Sequence, residues 1–227
     1  MSRFFTSSIG SKFLVSVSGL FLILFLIVHL SVNSLLMIGD GTLFNQAAHF
    51  MATTPAIRVM EPVLALGFII HILYAIYVTL KNQNKRPVNY SKNSAGENSN
   101  WASRNMFVLG ALIFIFLVIH VINFFWKLRF GGGEVETVMI NGEEMHNAFK
   151  LVNDLFAIWW YDVIYILGAI VLAFHLSHGF WSAFQTVGWS GTIWRRRFEV
   201  LGTIFAVIFG VGFAIIPIVL FIKAHLI

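Results

Sequence analysis

Long apolar runs without a charged residue dominate the pattern of this sequence. Five of them occur, at residues 13–39, 62–80, 105–126, 163–194 and 200–222. Each is at or near the ~20 residues that an α-helix needs to cross ~30 Å of hydrocarbon. The pattern therefore predicts five membrane-spanning helices, at about residues 12–38, 57–80, 102–126, 157–186 and 197–224.

The segments between the runs are polar and too short to fold into a soluble domain of their own. We therefore expect an all-α integral membrane protein with a single transmembrane domain over residues 1–227. The first run is longer than the apolar part of a signal peptide and no small-residue cleavage site follows it, so we expect a retained first span. Between the third and fourth spans, Asn141-Gly142 predicts a tight hairpin turn.

Composition limits the chemistry that this chain can perform. Hydrophobic residues make up 58% of the chain and charged residues 11%, and there is no cysteine. The absence of cysteine excludes disulfides, iron–sulfur clusters and cysteine-linked haem within the chain. No Gly-X-Gly-X-X-Gly or Walker motif for nucleotides is present. Redox chemistry here would therefore need other ligands.

The distribution of Lys and Arg predicts the orientation in the membrane. With the N-terminus inside, ten of the fifteen basic residues lie on inner segments and five on outer segments. The positive-inside rule then places the N-terminus in the cytoplasm and the C-terminus outside. This signal accounts for the net charge of +5 without a nucleic-acid partner. The alternative use of such a basic surface is the docking of an acidic or peripheral partner.

Histidines supply the informative chemistry. The first three predicted helices carry His29, His71 and His120, and the fourth carries both His175 and His178. A single histidine in a membrane span is more often a packing residue with a hydrogen bond than a ligand. Four successive helices with an imidazole each are hard to explain in that way. Polar side chains within the membrane therefore indicate a functional site here.

The depth of these histidines sorts them into pairs. His29 and His120 lie ~25 Å from the predicted inner surface, counted at 1.5 Å per residue from the basic residue at the inner end of each helix, whereas His71 lies ~15 Å from it. Either His175 or His178 falls in the same inner half as His71, and depth does not choose between them. An outer and an inner pair of facing imidazoles fit two six-coordinate haems b in a four-helix core. Such centres transfer electrons.

Four glycines lie at regular distances from the histidines. Gly67 precedes the histidine of the second span by four residues, and Gly179 follows His175 by four. Gly19 and Gly110 each precede the histidine of their own helix by ten residues. Glycine is common where membrane helices pack closely, so each is weak evidence by itself. Together they favour room for a flat porphyrin.

Two interpretations of the histidines without haem compete with the dihaem interpretation. His175-x-x-His178 has a spacing that can bind zinc or copper on one helix face, but no carboxylate or thiol lies at that depth. A transporter or proton relay also uses buried histidines, but no charged residue accompanies them in the middle of a span. A non-haem transporter or scaffold therefore remains the alternative from another functional class.

Several motifs in a fixed order carry a family resemblance. They are SGLFLILFLIVH (18–29) with IGD (38–40), RPVNY (86–90), Gly110 with His120, and His175-x-x-x-Gly179 leading to Gly188-Trp189. With them the chain resembles the cytochrome b membrane anchors of succinate dehydrogenase and fumarate reductase, in the five-helix, two-haem b558 form. The resemblance covers nearly the whole chain. Another dihaem b-type cytochrome, linked to quinone or ascorbate, is the second hypothesis.

The resemblance implies the ligand set and the identity of the cofactors. His29 and His120 would ligate the distal haem b, and His71 and His175 the proximal one. A glycine four residues after the fourth ligand belongs to the family pattern, which favours His175. His178 would then be a hydrogen-bond partner at the haem edge.

The resemblance also implies the partners and the location. A flavoprotein subunit with FAD and an iron–sulfur subunit would dock on the cytoplasmic face of a bacterial inner membrane. Electrons would pass between the iron–sulfur subunit and a quinone near the outer side, with menaquinone expected as the substrate. We also consider a dimer of such heterotrimers. Succinate oxidation and fumarate reduction both stay open as the physiological direction.

Further site residues are expected at the helix ends. Candidates to hold the propionates of the inner haem are Ser103, Arg104, Lys12 and His178, and those for the outer haem are Arg58 and Lys127. Candidates for the quinone site are Glu61, His49, Asn33, Asp40 and Arg58.

The chain departs from the family pattern at Ala173. Some relatives carry a glutamate two residues before the fourth ligand, proposed as part of a transmembrane proton path, where this chain has alanine. The departure puts that proton path in doubt.

Overall fold

A computed structural model describes residues 7–84, 101–131, 135–189 and 191–226. Within these residues the chain is helical apart from one two-stranded hairpin. The motif RPVNY (86–90) lies outside the described residues, as does most of the polar segment predicted between the second and third spans.

Seven helices of nine or more residues are labelled in chain order. They are α1 Ser8–Ser34, α2 Thr42–Thr53, α3 Pro55–Asn84, α4 Met106–His120, α5 Ala148–Phe156, α6 Trp159–Val187 and α7 Thr192–Leu226. A 3₁₀ turn, Leu35–Met37, follows α1. One helical turn, Trp101–Arg104, precedes α4, while a π-helical segment, Val121–Trp126, and a last turn, Lys127–Phe130, extend it.

Five of these helices are long and apolar enough to cross a membrane, namely α1, α3, α4 with its extension, α6 and α7. The predicted all-α membrane architecture with five spans is thus confirmed.

Local signals account for two of the helix ends. The Ser7 hydroxyl accepts a hydrogen bond from the amide of Gly10 at 2.9 Å and caps α1. Gly188 directly follows α6 and has φ +113°, a left-handed conformation that glycine adopts at little cost and that ends a helix.

Consecutive spanning helices run antiparallel. Phe25 of α1 meets Phe68 of α3, and Phe116 of α4 meets Tyr165 of α6. The four histidine-bearing helices, α1, α3, α4 and α6, therefore form an up-and-down bundle, and α7 packs along α6 and reaches α1. We call the end of the bundle where α1 begins the N-terminal end, and the end where α7 finishes the C-terminal end.

Two short helices cover the C-terminal end of the bundle. Asn45 of α2 donates to the side chain of Asn147 at 3.1 Å and accepts from the amide of Phe149 at 2.8 Å, which ties α2 to α5. Apolar side chains of both helices pack with the ends of α1, α6 and α7 around Leu36 and Leu220. The hydrophobic pattern did not predict either helix, because each is too short to show a membrane span.

The hairpin also lies in this region. Strands β1 Thr137–Ile140 and β2 Glu143–His146 pair in antiparallel register, with Ile140 opposite Glu143. The connecting residues Asn141 and Gly142 have φ of +55° and +85°. Two consecutive positive φ values are what a two-residue type I′ turn requires. The predicted hairpin turn therefore forms at Asn141-Gly142.

Close contacts at glycine hold α7 against its neighbours. A Cβ added to Gly210 would lie 2.8 Å from the Cβ of Ala173 on α6, and one added to Gly212 would lie 2.9 Å from Leu30 on α1. The Cβ of Ala173 can move only with its backbone, whereas the side chain of Leu30 can shift. The backbones therefore approach through glycine, as is common between membrane helices.

This packing predicts the effect of a larger side chain at Gly210. Gly210→Leu should push α6 and α7 apart and destabilise the folded protein by about 1–3 kcal/mol, the usual cost of overpacking. Thermal unfolding in detergent measures the change. Gly191→Leu is the matched control, because Gly191 is exposed with open space around its Cβ position. Equal melting of the two variants would contradict this account of the helix contact.

Candidate functional site

The four predicted ligands meet as two pairs of imidazoles. His71 of α3 and His175 of α6 face each other with ring centroids 6.3 Å apart and ring planes at 73°. His29 of α1 and His120 of α4 do the same at 5.6 Å and 81°. Each of the four helices thus contributes one ring, and the bundle brings together the pairs that the sequence predicted.

The spacing of each pair fits a single metal between the rings. Metal bonds to imidazole nitrogen are about 2 Å long, so two rings on opposite sides of one ion have centres roughly 6 Å apart. The His71–His175 pair has this separation, and the His29–His120 pair is slightly closer. The Nδ1 atoms of His120 and His175 are also buried without a hydrogen-bond partner in the structure.

The donor set favours haem over a bare metal ion. Within the part of the chain that the structure describes, no three His, Cys, Asp or Glu side chains form a group that could hold an ion. Zinc in proteins takes three or four such ligands. A six-coordinate haem iron takes only two from the protein, because the porphyrin supplies the other four. Two imidazoles per site therefore suit haem b.

Two glycines lie beside the His71–His175 pair. A Cβ at Gly19 of α1 would come within 3.1 Å of Cε1 of His71, and one at Gly110 of α4 within 3.8 Å of Cε1 of His175. Each glycine is ten residues, or about 15 Å of helix, from the histidine of its own helix. Because Gly19 and Gly110 lie at the level of the His71–His175 pair, the ten residues to His29 and His120 span the distance between the two histidine pairs along the bundle.

The other two predicted glycines serve helix packing around the same pair. A Cβ at Gly67 would lie 2.8 Å from the ring of Phe21, so Gly67 admits this ring from α1. A Cβ at Gly179 would lie 3.8 Å from Met106, an ordinary contact with the start of α4. Both glycines lie one turn from a histidine of the pair, as the sequence indicated.

Hydrogen bonds orient His71. Its Nδ1 lies 3.1 Å from the carbonyl oxygen of Val15 and 3.3 Å from the hydroxyl of Ser18, which itself donates to the carbonyl of Leu14 at 2.6 Å. Because a carbonyl oxygen can only accept, Nδ1 carries the hydrogen and Nε2 keeps its lone pair. Metal-binding histidines are typically held in this way. Sequence reasoning missed Ser18, although it directly precedes Gly19.

Aromatic rings surround His120. Phe116, Phe124 and Tyr165 all contact its ring, with centroids 5.3 to 5.9 Å away. The π-helical segment begins at the next residue, and such segments are frequent at functional sites. Within it, Asn123 donates to the hydroxyl of Tyr165 at 3.1 Å, and both side chains are buried. The sequence did not indicate this polar pair, because its partners come from different helices.

His178 lies three residues beyond His175 on α6 and belongs to neither pair. Its ring meets Trp181 edge-on at 5.4 Å, and its buried Nδ1 has no hydrogen-bond partner in the structure. The geometry therefore agrees with a neighbour of the site rather than a member of the His71–His175 pair.

The candidates for the propionates lie at both ends of the bundle. Ser103 and Arg104 are in the helical turn before α4, which packs on α6 where Trp101 contacts Phe174 at 5.5 Å. Lys12 is exposed in the second turn of α1. At the C-terminal end, Lys127 begins the last turn of the α4 extension. Arg58 donates from Nε to the carbonyl of Ala52 at 2.8 Å.

The quinone-site candidates lie at different distances from the His29–His120 pair. Asn33 contacts the His29–His120 pair directly, since its amide donates to the carbonyl of His29 at 2.8 Å and lies 3.4 Å from Nδ1 of the ring. His49 and Arg58 lie further along, in α2 and at the start of α3. These residues are all at the C-terminal end.

The two acidic candidates have partners of their own. Glu61 forms an ion pair with Arg129 at 3.2 Å, and Asp40 accepts a hydrogen bond from the amide of Thr42 at 3.0 Å. This bond lowers the pKa of Asp40 below its ordinary value. A further acid that the sequence pattern does not mark is Asp162 of α6, which is 7% exposed and whose Oδ1 is buried without a hydrogen-bond partner.

Comparison with known proteins gives one informative relative. The chain is 31% identical over 193 residues to a protein of Bacillus subtilis (strain 168), the succinate dehydrogenase cytochrome b558 subunit, and the match covers 82% of each chain. No family model matches the chain, and no solved structure matches it.

The geometry predicts different effects for the two neighbouring histidines. His175→Ala should remove one of two haems, because the partner of His71 is lost, whereas His178→Ala should retain both and at most shift a redox potential. Haem content per chain, measured on the purified variants, tests this. The reverse result would show that His178 is the ligand.

Proposed function

The chain belongs to the family of succinate dehydrogenase cytochrome b558 subunits, and from this premise we propose that it is a dihaem anchor that carries electrons between an iron–sulfur subunit and quinone. The observation that carries the proposal is the pairing of four imidazoles from four spanning helices. Each bound haem would supply a one-electron redox centre without an open position for oxygen.

The protein's own residues would fix the ligands in place. Val15 and Ser18 hold His71 in the tautomer whose Nε2 is free, and Gly19 and Gly110 keep the space beside this pair open. At the other pair, Asn33 holds His29, while the rings around His120 exclude water from it. Fixed ligands on rigid helices change little in geometry when an electron arrives, which favours transfer.

We place the N-terminal end of the bundle in the cytoplasm, where the flavoprotein and iron–sulfur subunits would dock. The exposed arginines Arg195, Arg196 and Arg197 at the start of α7 lie at this end. Arg195 pairs with Glu199 at 2.9 Å, and Arg197 lies over the ring of Trp194. A basic surface at this end suits both the positive-inside rule and an acidic partner. The membrane would be the bacterial inner membrane.

The quinone would bind near the C-terminal end, beside the His29–His120 pair. Electrons from succinate would reach it through the His71–His175 site first, since that pair lies closer to the proposed docking surface. We expect menaquinone as the substrate. Quinol oxidation coupled to fumarate reduction would use the same route in reverse.

The position of Ala173 argues against a proton path through α6. Its Cβ presses against Gly210 of α7, where even an added Cβ would come within 2.8 Å. Alanine has no group that can bind or release a proton, so α6 carries no carboxyl at this position. We therefore propose that electron transfer in this chain is not compensated by proton movement at this position.

The proposal predicts the behaviour of the assembled complex. The chain should co-purify with both soluble subunits and show a b-type α band that dithionite reduces fully and succinate reduces in part. It should support succinate-to-quinone and quinol-to-fumarate electron transfer, whose relative rates give the preferred direction. His146→Ala in the exposed hairpin is the control and should leave haem and rates unchanged. A purified complex without a dithionite-reducible α band would refute the proposal.

A further inference from the structure

Asp162 is a buried acid that the electron route described above does not use. It lies in the first turn of α6 at the C-terminal end of the bundle, is 7% exposed, and has an Oδ1 buried without a hydrogen-bond partner. Removing an acidic group from water without a partner is costly. In the membrane-spanning part of a protein such a group indicates function.

The other acids described at this end have partners or are exposed. Glu61 pairs with Arg129, and Asp154 pairs with Lys150 at 2.7 Å. Asp40 is exposed and accepts from the amide of Thr42. A negative side chain near a helix N-terminus also gains from the helix dipole, but this gain needs no burial. Stabilisation of α6 therefore does not explain why Asp162 is enclosed.

The surroundings connect Asp162 to the His29–His120 pair. Tyr165 lies three residues further along α6, so the two side chains share one face of the helix. The ring of Tyr165 contacts His120 with centroids 5.9 Å apart, and its hydroxyl accepts from Asn123. Asp162 is thus one helical turn from the rings that enclose the pair, on the side towards the C-terminal end.

The surroundings also connect Asp162 to the aqueous side. His225 is exposed in the last turn of α7, the helix that packs along α6, and lies at the same end of the bundle as Asp162. Lys223 on the same turn donates to the carbonyl of Met37 at 3.0 Å and fixes the end of α7. An exposed imidazole can exchange protons with water, so this end of the bundle offers Asp162 a route to the aqueous side.

We propose that Asp162 binds the quinone headgroup and exchanges a proton with it, an inference that rests on the proposed function. Reduction of a quinone takes two electrons and two protons and forms two O–H bonds. In this step the O–H bond of the Asp162 carboxyl breaks, its electron pair stays on the carboxylate, and the proton joins one quinone oxygen. The second proton comes from the aqueous side and joins the other quinone oxygen. The electrons come from succinate through the proposed route. His225 and water return a proton to Asp162, and quinol oxidation reverses the sequence.

The test uses the assembled complex with 2,3-dimethyl-1,4-naphthoquinone as the probe. Asp162→Asn should lower the succinate-to-quinone rate about 100-fold, the lower end of the range for loss of a proton-transfer group. The rate to a phenazine dye, which takes electrons from the soluble subunits, and the haem content should stay unchanged. Asp162→Glu should recover part of the quinone rate. Asp154→Asn, an exposed acid on α5, should behave like the wild type.

Different results would overturn the role of Asp162 and the proposed electron-transfer function. Wild-type quinone kinetics in a haem-replete Asp162→Asn complex would overturn the inference alone. A wild-type complex that reduces the dye but not the quinone would overturn the proposed function and the inference with it.

A second measurement uses the wild-type complex, so the inference can be tested even if the Asp162→Asn complex does not assemble. Dicyclohexylcarbodiimide, which modifies carboxyl groups in apolar surroundings, should label Asp162 and block quinone reduction but not dye reduction. Excess naphthoquinone should protect Asp162 from the label, as measured by peptide mass spectrometry. An unlabelled Asp162, or labelling that the quinone does not change, would contradict a quinone contact.

Discussion

An imidazole in hydrocarbon needs a polar or metal partner from the protein, because no water is there to satisfy its nitrogens. Four spanning helices of this chain each carry such an imidazole, and the rings face each other in pairs: His71 with His175, and His29 with His120. Each pair links two helices, so the site and the arrangement of the bundle depend on the same contacts. Two haems held in this way would join all four helices.

The smallest residues decide where the helices can approach. Gly19 and Gly110 flank the His71–His175 pair, and Gly210 brings α7 against Ala173 of α6. In a membrane there is little hydrophobic force between helices, so close packing contributes much of the stability. Glycine therefore has two roles in this chain, since it leaves room beside the histidines and brings the remaining helices together.

Much of this architecture could be predicted from the sequence because hydrocarbon thickness fixes the length of a span and the α-helical rise fixes depth. These two rules predicted five spans and grouped the histidines correctly. Depth did not separate His175 from His178, which differ by less than one turn. Only the direction of each side chain across the bundle shows that His175 faces His71.

Features that depend on contacts between distant segments could not be predicted. Ten-residue spacing placed Gly19 near His29 in sequence, but its neighbour in space is His71, 52 residues away. The Asn123–Tyr165 pair joins α6 to a π-helical segment that no local pattern marks. Asp162 directly precedes an apolar run and resembles an ordinary acid at a helix start, so its burial is visible only once α6 is packed among its neighbours.

The proposal depends on each imidazole pair holding one haem iron between two nearly perpendicular rings. Electron paramagnetic resonance of the oxidised protein tests it most directly, because the spin state reports the number of axial ligands and the anisotropy reports the angle between their planes. With ring planes at 73° and 81°, we predict two highly anisotropic low-spin ferric signals. A high-spin signal as the main species, or no haem signal at all, would contradict the account.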